Sequence, residues 1–535
     1  MTDVLVIGSG GAGLSAALKA KEEVNNVLIV SKNYPSHSQT CQAQGGINAV
    51  LKEDAKDNIK NYINDTSKAS HKLGNIETIN LLCTKSKDTI TWLDSIGVPF
   101  SRDENSNIAQ RKFGGTKAKR TCYSSDYTGL KILHTLYDQC IKQNIDFLNE
   151  HLLLELIIEE NCVKGAIFLD ILTSQVIKIE AKTVILATGG YAAAYHQFTT
   201  NSFGSTGDGI VKALNIGAKL SNLEFVQFHP TSLENKNILI SESARGEGGY
   251  LVDEEGNRFI EELKPRDEVA RAIFEKNKAG QRVFLDLRHL GFEKINTTMP
   301  QERNLILNFM KLKMEDDLIP VNPSAHYTMG GILTDKDTKT TIQNLYACGE
   351  CSQSGIHGAN RLGGNSLLEI VTFGLISGEN AAKQAKLNKE MENTSSYIFG
   401  KVKNDIEKIF TNEKILDFYK IKKELGKLLF NNAGLFREEK KLKKALDYVK
   451  KKKEHLKNIG IEDKSKIYNR NLVELIELRN IITISELILI SALKRRESRG
   501  AHYRIDFEKE DEKFDKNTII SLKDGQINIS FEDVI

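Results

Sequence analysis

Thr2-Asp-Val-Leu-Val-Ile-Gly8-Ser9-Gly10-Gly11-Ala12-Gly13-Leu-Ser-Ala-Ala-Leu18 is a short apolar run, a G-x-G-x-x-G turn and the opening of an apolar helix. Glycines at this spacing permit a tight turn, close approach of backbone N–H groups to a pyrophosphate, and packing of the helix on the strand. The stretch therefore predicts a dinucleotide-binding unit at Gly8, Ser9, Gly10, Gly11, Ala12 and Gly13. A plain glycine turn would explain neither the strand before it nor the helix after it. The second strand, Val27-Leu-Ile-Val30, ends in Ser31-Lys32, without the acidic residue that usually holds a ribose hydroxyl roughly 20 residues on. Ribose contacts are expected from elsewhere, with Glu350 in Leu345-Tyr-Ala-Cys-Gly-Glu350 as the best candidate.

The chain has 535 residues, 40% hydrophobic content and 39 glycines, which predicts a globular protein of about two to four domains. Its net charge of +3 comes from 74 basic and 71 acidic residues, a balance that gives no reason to expect nucleic-acid binding. Many lysines fall between Lys401 and Lys466, where Leu442, Leu446, Val449 and Leu456 keep a helical apolar period. The run Lys450 to Lys453 thus reads as a solvated helix face rather than a functional basic patch. No apolar run approaches the ~18 residues of a membrane span, and no charged, apolar leader precedes the first strand. The expectation is a soluble, cytoplasmic chain with no direct membrane span.

Cysteines 41, 83, 122, 140, 162, 348 and 351 are odd in number and scattered, unlike a disulfide framework. Cys348-Gly-Glu-Cys351 is formally C-x-x-C, but no second pair stands at metal spacing, so no metal site is expected.

Strand and helix signals alternate to about residue 222, including the buried strand and glycine turn Val184-Ile-Leu-Ala187-Thr188-Gly189-Gly190. The stretch from Phe225 to His326 is less regular and rich in turns such as Asp253-Glu-Glu-Gly-Asn. Strand-then-helix chemistry returns from Gly331 to Gln384, and lysine-rich helices follow. The boundaries drawn are 1–223 and 328–388 for an interrupted dinucleotide domain, 224–327 for the insert, 389–490 for a helical domain and 491–535 for a C-terminal tail.

A second informative stretch is His357-Gly-Ala-Asn-Arg361-Leu-Gly-Gly-Asn-Ser366-Leu367, which places a fixed cation beside a compact turn and a helix start. Ser366 with Glu369 reads as a capping box, so a positive helix end is expected to face an anion or an electron-rich ring. Other polar motifs precede it in order: Phe113-Gly-Gly, Arg120-Thr, Asp126-Tyr-Thr-Gly, Glu224-Phe-Val-Gln-Phe-His229-Pro-Thr, Ser241-Glu242-Ser-Ala-Arg245-Gly-Glu-Gly-Gly, Pro265-Arg266-Asp and Ala325-His326-Tyr-Thr-Met-Gly-Gly. Ser498-Arg-Gly-Ala-His502 follows it.

Together these motifs closely resemble the flavoprotein subunits of succinate dehydrogenases and fumarate reductases, over nearly the whole chain apart from the lysine-rich helices. The resemblance implies an α/β fold: a Rossmann-like FAD-binding domain interrupted by an α+β capping domain, then a helical domain and a short tail. It implies FAD as cofactor, fumarate and succinate as substrate pair, and hydride transfer from flavin N5. In that reading Arg361 and His326 hold one carboxylate, His229 and Ser241 hold the other, and Arg266 gives the proton. Ser241 stands where most relatives carry Thr, and it keeps the donating hydroxyl. A relay from Arg245 through Glu242 would replenish Arg266, and the bland alternative is that Arg266 only pairs with Asp267. His357 shapes the loop. The implied cofactor wall comprises the glycine turn with Ser31, Lys32, Gln39, Thr40, Gln44, Gly45, Gly46, Ala187, Thr188, Gly189, Asp208, Tyr327, Glu350, Arg361, Ser366 and Leu367.

Many relatives link FAD covalently through a histidine six residues before a Gly-Gly pair. Here the pair is Gly45-Gly46, position 39 is Gln, and His37 falls two residues early, so a noncovalent FAD is expected. Lacking the link that raises the flavin potential, the chain is expected to favour fumarate reduction. Implied partners are an iron–sulfur subunit and a membrane-anchor or other electron-donor subunit, which would bring the chain to the cytoplasmic face of a membrane. Arg495, Arg496 and Arg499 are candidate docking positions. L-aspartate oxidase is the alternative, opposed by Phe113-Gly-Gly, Arg120-Thr and Arg361-Leu-Gly-Gly, and a non-enzymatic flavin scaffold is a third reading.

Overall fold

A continuous apolar run puts Thr2–Ile7 at the centre of a parallel sheet, where Val4, Leu5 and Val6 are wholly buried. In the computed structural model, which describes residues 2–54, 56–116, 118–388, 394–523 and 525–534, this strand pairs in parallel with Val27–Val30 on one side and Val176–Leu186 on the other. Asp146–Leu148 extends the sheet beyond Val27–Val30, and Leu345–Ala347 pairs in parallel with Val176–Leu186. The first half of Val176–Leu186 also pairs antiparallel with Cys162–Asp170, which hairpins back to His151–Glu159. The expected start of the helical domain, residue 389, lies outside the described residues.

The parallel strands release their chain at one edge, where open α/β sheets place ligands. Gly8 sits at that edge with φ +119°, and a Cβ there would lie 2.1 Å from the Ala187 carbonyl oxygen. Helices Gly11–Lys21 and Asn365–Leu387 pack on the sheet over a shared apolar core that includes Leu14, Leu18, Leu368 and Val371.

Residues between the two parts of this unit build a separate four-stranded sheet, ordered Val226–Leu233, Ile319–Thr328, Val283–Asp286, Tyr250–Val252. Its own core gathers Leu233, Val269, Ile273, Leu285 and Ile306. The helices Ser396–Thr411, Phe418–Ala433, Glu439–His455 and Arg470–Lys494 follow. Leu442 and Val449 are buried beneath exposed Lys450 and Lys451, as their helical spacing predicts. The C-terminal hairpin Lys516–Lys523/Gln526–Asp533 is hydrogen-bonded to Leu220–Ser221 and so closes a sheet with residues from early in the chain.

Two docking candidates are corrected here. Arg495 and Arg499 are buried and engaged: Arg495 pairs with Glu224 at 2.7 Å and Glu497 at 2.9 Å, while Arg499 pairs with Glu497 and Asp515. Counting charge along a sequence cannot show that the guanidiniums point inward; of the three, only Arg496 is exposed. Replacing Arg495 would take the paired guanidinium from wholly buried Glu224, and breaking such a pair from one side costs about 3–5 kcal/mol. Arg495→Leu is therefore expected to lower the unfolding free energy from denaturant titration by that amount, and a loss below about 1 kcal/mol, within the range of a surface change, would contradict this reading.

Candidate functional site

One continuous cleft runs from the first glycine turn to the inserted sheet. Gly8, Ser9, Gly10, Gly11 and Ala12 line one end, Gln39, Thr40, Gln42 to Gly46 and Ala187 to Gly189 line the middle, and His229, Ser241, Glu242, Arg266, His326 and Arg361 close the far end. Its lining thus joins the glycine turn to the polar residues of the inserted sheet in one cleft.

The glycine turn fits a dinucleotide physically. Gly13 would place a Cβ 1.9 Å from the Gly8 carbonyl oxygen, so the helix can sit this close only without a side chain there. Gly10 and Gly11 bring the first helix's free N–H groups to the cleft wall, and Thr40 Oγ1 accepts from Gly11 N at 3.1 Å. Ser9 Oγ donates to Ser31 Oγ at 2.8 Å. Lys32 lines the cleft, yet its ammonium donates to Gly204 O, Thr206 Oγ1, Asp208 Oδ2 and Glu477 Oε1. Burial opposes its charge, but Asp208 and Glu477 carry it above the ordinary lysine value.

Glu350 lines the cleft and accepts from Thr328 N and Oγ1 at 2.9 and 3.0 Å, and burial pushes its carboxyl up to about 7. Gln39 Oε1 accepts from Ser202 N at 3.0 Å, and His37 also reaches the cleft wall. Cys348 and Cys351 are buried free thiols, and burial pushes Cys351 up to about 11. Among the described residues no cluster of His, Cys, Asp and Glu is fit to hold a metal.

The expected capping box is not formed. The helix begins at Asn365 after Gly364, without a side-chain cap. Glu369 is drawn inward instead, accepting from Ser354 Oγ at 2.9 Å and Tyr327 OH at 2.9 Å, with His357 Nε2 at 2.7 Å. A buried carboxylate takes the donors that satisfy it, and a local cap would leave these three without it. Ser366 and Leu367 still line the cleft.

At the far end three guanidiniums surround one carboxylate. Arg266 donates from Nε to Glu242 Oε2 at 2.8 Å, with Nη2 2.6 Å from the same oxygen. Gly114 N donates to Glu242 Oε1 at 2.8 Å. Burial acts against Glu242's charge, but Arg266 and Arg245 hold it below the usual carboxylate range. Asp267 pairs with Arg271 at 2.7 Å, so the Arg266–Asp267 pair is excluded. Of the relay, only the Glu242–Arg266 link is a hydrogen bond. Arg245 donates from Nη1 to Glu262 O, while its Nε and Nη2 are buried without a partner.

Gln227, in a quoted motif but given no role by it, joins the cluster: its Oε1 accepts from Arg266 Nη1 at 3.2 Å and Arg361 Nη2 at 3.1 Å. Arg361 lies over the Tyr327 ring at 4.1 Å, and its Nε is buried without a partner. Burial and the neighbouring Arg266 lower its guanidinium to about 10. Burial with Arg266 takes His229 well below the ordinary histidine value, and burial with Arg361 does the same for His326, so both are neutral at pH 7. Their rings meet edge to face at 5.0 Å, with His326 Nδ1 2.8 Å from Thr200 Oγ1. Ser241 Oγ contacts Ser243 Oγ.

Comparison with known proteins agrees with this geometry. An FAD binding domain matches residues 3–367, and the fumarate reductase flavoprotein C-terminal domain matches residues 422–535. The fumarate reductase flavoprotein subunit of Proteus vulgaris is 35% identical, over 99% of this chain and 94% of that protein. The succinate dehydrogenase flavoprotein subunit of Rickettsia conorii is 36% identical, over 99% of this chain and 95% of that protein. A quinol–fumarate reductase solved with menaquinol superposes with a TM-score of 0.95 at 34% identity, over 100% of this chain and 98% of that one. The chain thus binds FAD and belongs to the family of fumarate reductase and succinate dehydrogenase flavoprotein subunits.

Proposed function

We propose that this chain interconverts fumarate and succinate as the flavoprotein subunit of an electron-transfer complex. The observation that carries the reading is the excess of buried positive charge at the end of the FAD cleft, with Arg266 and Arg361 bridged by one amide and Glu242 their one ion-pair partner among the described residues. A small dianion supplies the missing charge. When bound, FAD supplies the two-electron redox chemistry.

The chain's own residues do the rest. Arg361 and His326 hold one carboxylate, and His229 and Ser241 hold the other; the neutral histidines act as hydrogen-bond donors. Preorganised donors at both carboxylates stabilise the negative charge that develops as the alkene is reduced. Arg266 gives its proton to the alkene carbon and regains it through Glu242, which stands between two guanidiniums. The remaining cleft residues, from the glycine turn through Ser31, Thr40, Ala187 and Glu350 to Leu367, hold the dinucleotide. Gln39 supports a noncovalent FAD and, through the lower potential of an unlinked flavin, a preference for fumarate reduction.

Among the described residues no helix is long and apolar enough to cross a membrane. We therefore assign the electrons to an iron–sulfur partner, fed by quinol through a membrane anchor or by another donor chain at the cytoplasmic face. The relatives named above are fumarate reductases and succinate dehydrogenases, which does not favour L-aspartate oxidation.

Arg266→Gln is expected to abolish turnover while FAD and succinate still bind, because proton delivery is a transition-state role. Near wild-type turnover would remove Arg266 from the mechanism. Acid precipitation of the purified protein should leave the yellow colour in the supernatant; colour in the pellet would show a covalent link. With artificial dyes the isolated subunit should reduce fumarate faster than it oxidises succinate. Equal rates would refute the directional claim, and oxygen-dependent oxidation of aspartate without fumarate activity would move the assignment to the oxidase.

A further inference from the structure

Behind Ser241 lie two carboxyl groups that no ion pair accounts for among the described residues. Glu302, in the first turn of the helix Pro300–Met310, is 1% exposed. Its Oε1 accepts from Ser241 N at 2.8 Å, and its Oε2 is buried without a hydrogen-bond partner. Asp126, just ahead of the helix Thr128–Lys142, is wholly buried, and its Oδ2 accepts from Glu302 N at 2.9 Å.

Met299 provides no side-chain cap for the helix Pro300–Met310, so Asp126 satisfies a free N–H at its positive end. Arg111, on the strand Gln110–Lys112, donates to the carbonyls of Gln44, Gly45 and Ser125 and lies over the Tyr123 ring at 4.4 Å. Its Nε and Nη2 hydrogens are spent on these neutral carbonyls. Two buried carboxyls in contact through one N–H cannot both ionise cheaply, and the helix end favours the charge on Asp126. The proton belongs on Glu302, where it turns an orphan acceptor into a donor.

We propose that Glu302 is a positioning residue, which as a neutral acid fixes the Ser241 backbone at the cleft wall without presenting negative charge to the bound dicarboxylate. The inference rests on the dicarboxylate reading of the cleft. Burial and Asp126 push Glu302 up to about 8, with Ser241 and Arg111 as its other neighbours. Its folded value is raised, so the neutral form prevails at pH 7 and is lost as pH rises through 8. His229 and His326 are already neutral throughout that window, Arg361, lowered to about 10, titrates above it, and Glu350, at about 7, titrates at its lower edge whatever stands at position 302.

The test is succinate binding to the FAD-loaded protein across pH 7 to 9, a window that brackets Glu302's value of about 8. One unit above that value only about a tenth of the groups keep the proton, so Kd is expected to rise about tenfold. Glu302→Gln keeps an acceptor for Ser241 N and cannot ionise, so its Kd should lack the rise centred near 8 and keep only the change from Glu350 that both proteins share. An equal rise in both proteins overturns the inference. Should the amide variant fail to fold, Asp126→Asn removes the neighbouring charge and is expected to move the rise to lower pH; an unmoved midpoint overturns the proposal. Succinate bound by neither protein even at pH 7 sinks the dicarboxylate reading and the inference with it, and that outcome is distinct from the pH result.

Discussion

Arg245, Arg266 and Arg361 are buried around a single carboxylate, Glu242, and that imbalance governs what the rest of the molecule must do. Cations removed from water are unfavourable unless paired, and here the pairing is incomplete: Nε and Nη2 of Arg245 and Nε of Arg361 have no acceptor. The Tyr327 ring beneath Arg361 offsets part of the cost, since a π-face attracts a desolvated guanidinium. The dianion of the proposed reaction would offset the rest. Such a site is preorganised: its donors are held in place before the ligand comes, and they do not have to reorganise as charge develops.

Holding like charges together takes neutral braces, and Gln227 is the central one. Its carbonyl oxygen receives both Arg266 and Arg361, while its Nε2 donates to Asn360 Oδ1 at 2.7 Å and Arg361 O at 2.9 Å. Asn360 in turn donates to Asp267 Oδ1 at 2.8 Å. The strand Val226–Leu233, the helix Arg266–Lys278 and the loop carrying Asn360 and Arg361 are thereby tied into one polar network. Hydrogen-bonded networks in a low-dielectric interior fix geometry, because losing one partner strands the others. The inserted sheet is thus locked to the sheet that carries FAD at the point where substrate chemistry is proposed.

The G-x-G-x-x-G turn and the strand before it were legible because their signal is local: glycine spacing and apolar run lie within 17 residues. The helical period under Lys450 was legible for the same reason. Sequence reading failed where a contact joins distant segments. Ser366 and Glu369 have the spacing of a capping box, but Glu369 meets Tyr327, 42 residues earlier, and the tertiary contact wins. Arg495 looked like surface charge until its partner, Glu224, appeared 271 residues away. Glu302 carries no motif at all, and only its 61-residue reach to Ser241 gives it a role. The polar motifs near the substrate end were read through resemblance, since no spacing rule links His229 to His326.

The cleft's two ends differ in electrostatic design. At the dinucleotide end Lys32 is matched by Asp208 at 2.7 Å and Glu477 at 2.8 Å, and Glu477 lies 3.6 Å from Lys422. These alternating charges couple the first two strands to the helices Phe418–Ala433 and Arg470–Lys494 and leave no cation in excess. A buried pair of this kind adds little net stability over an apolar core, but it fixes where the partners sit. At the substrate end the cations outnumber their partners. A net charge of +3 spread over 535 residues conceals that contrast. The proposed selection of a small dianion rests on the place where positive charge is left unbalanced, and the fold confines that place to a pocket closed by a second sheet.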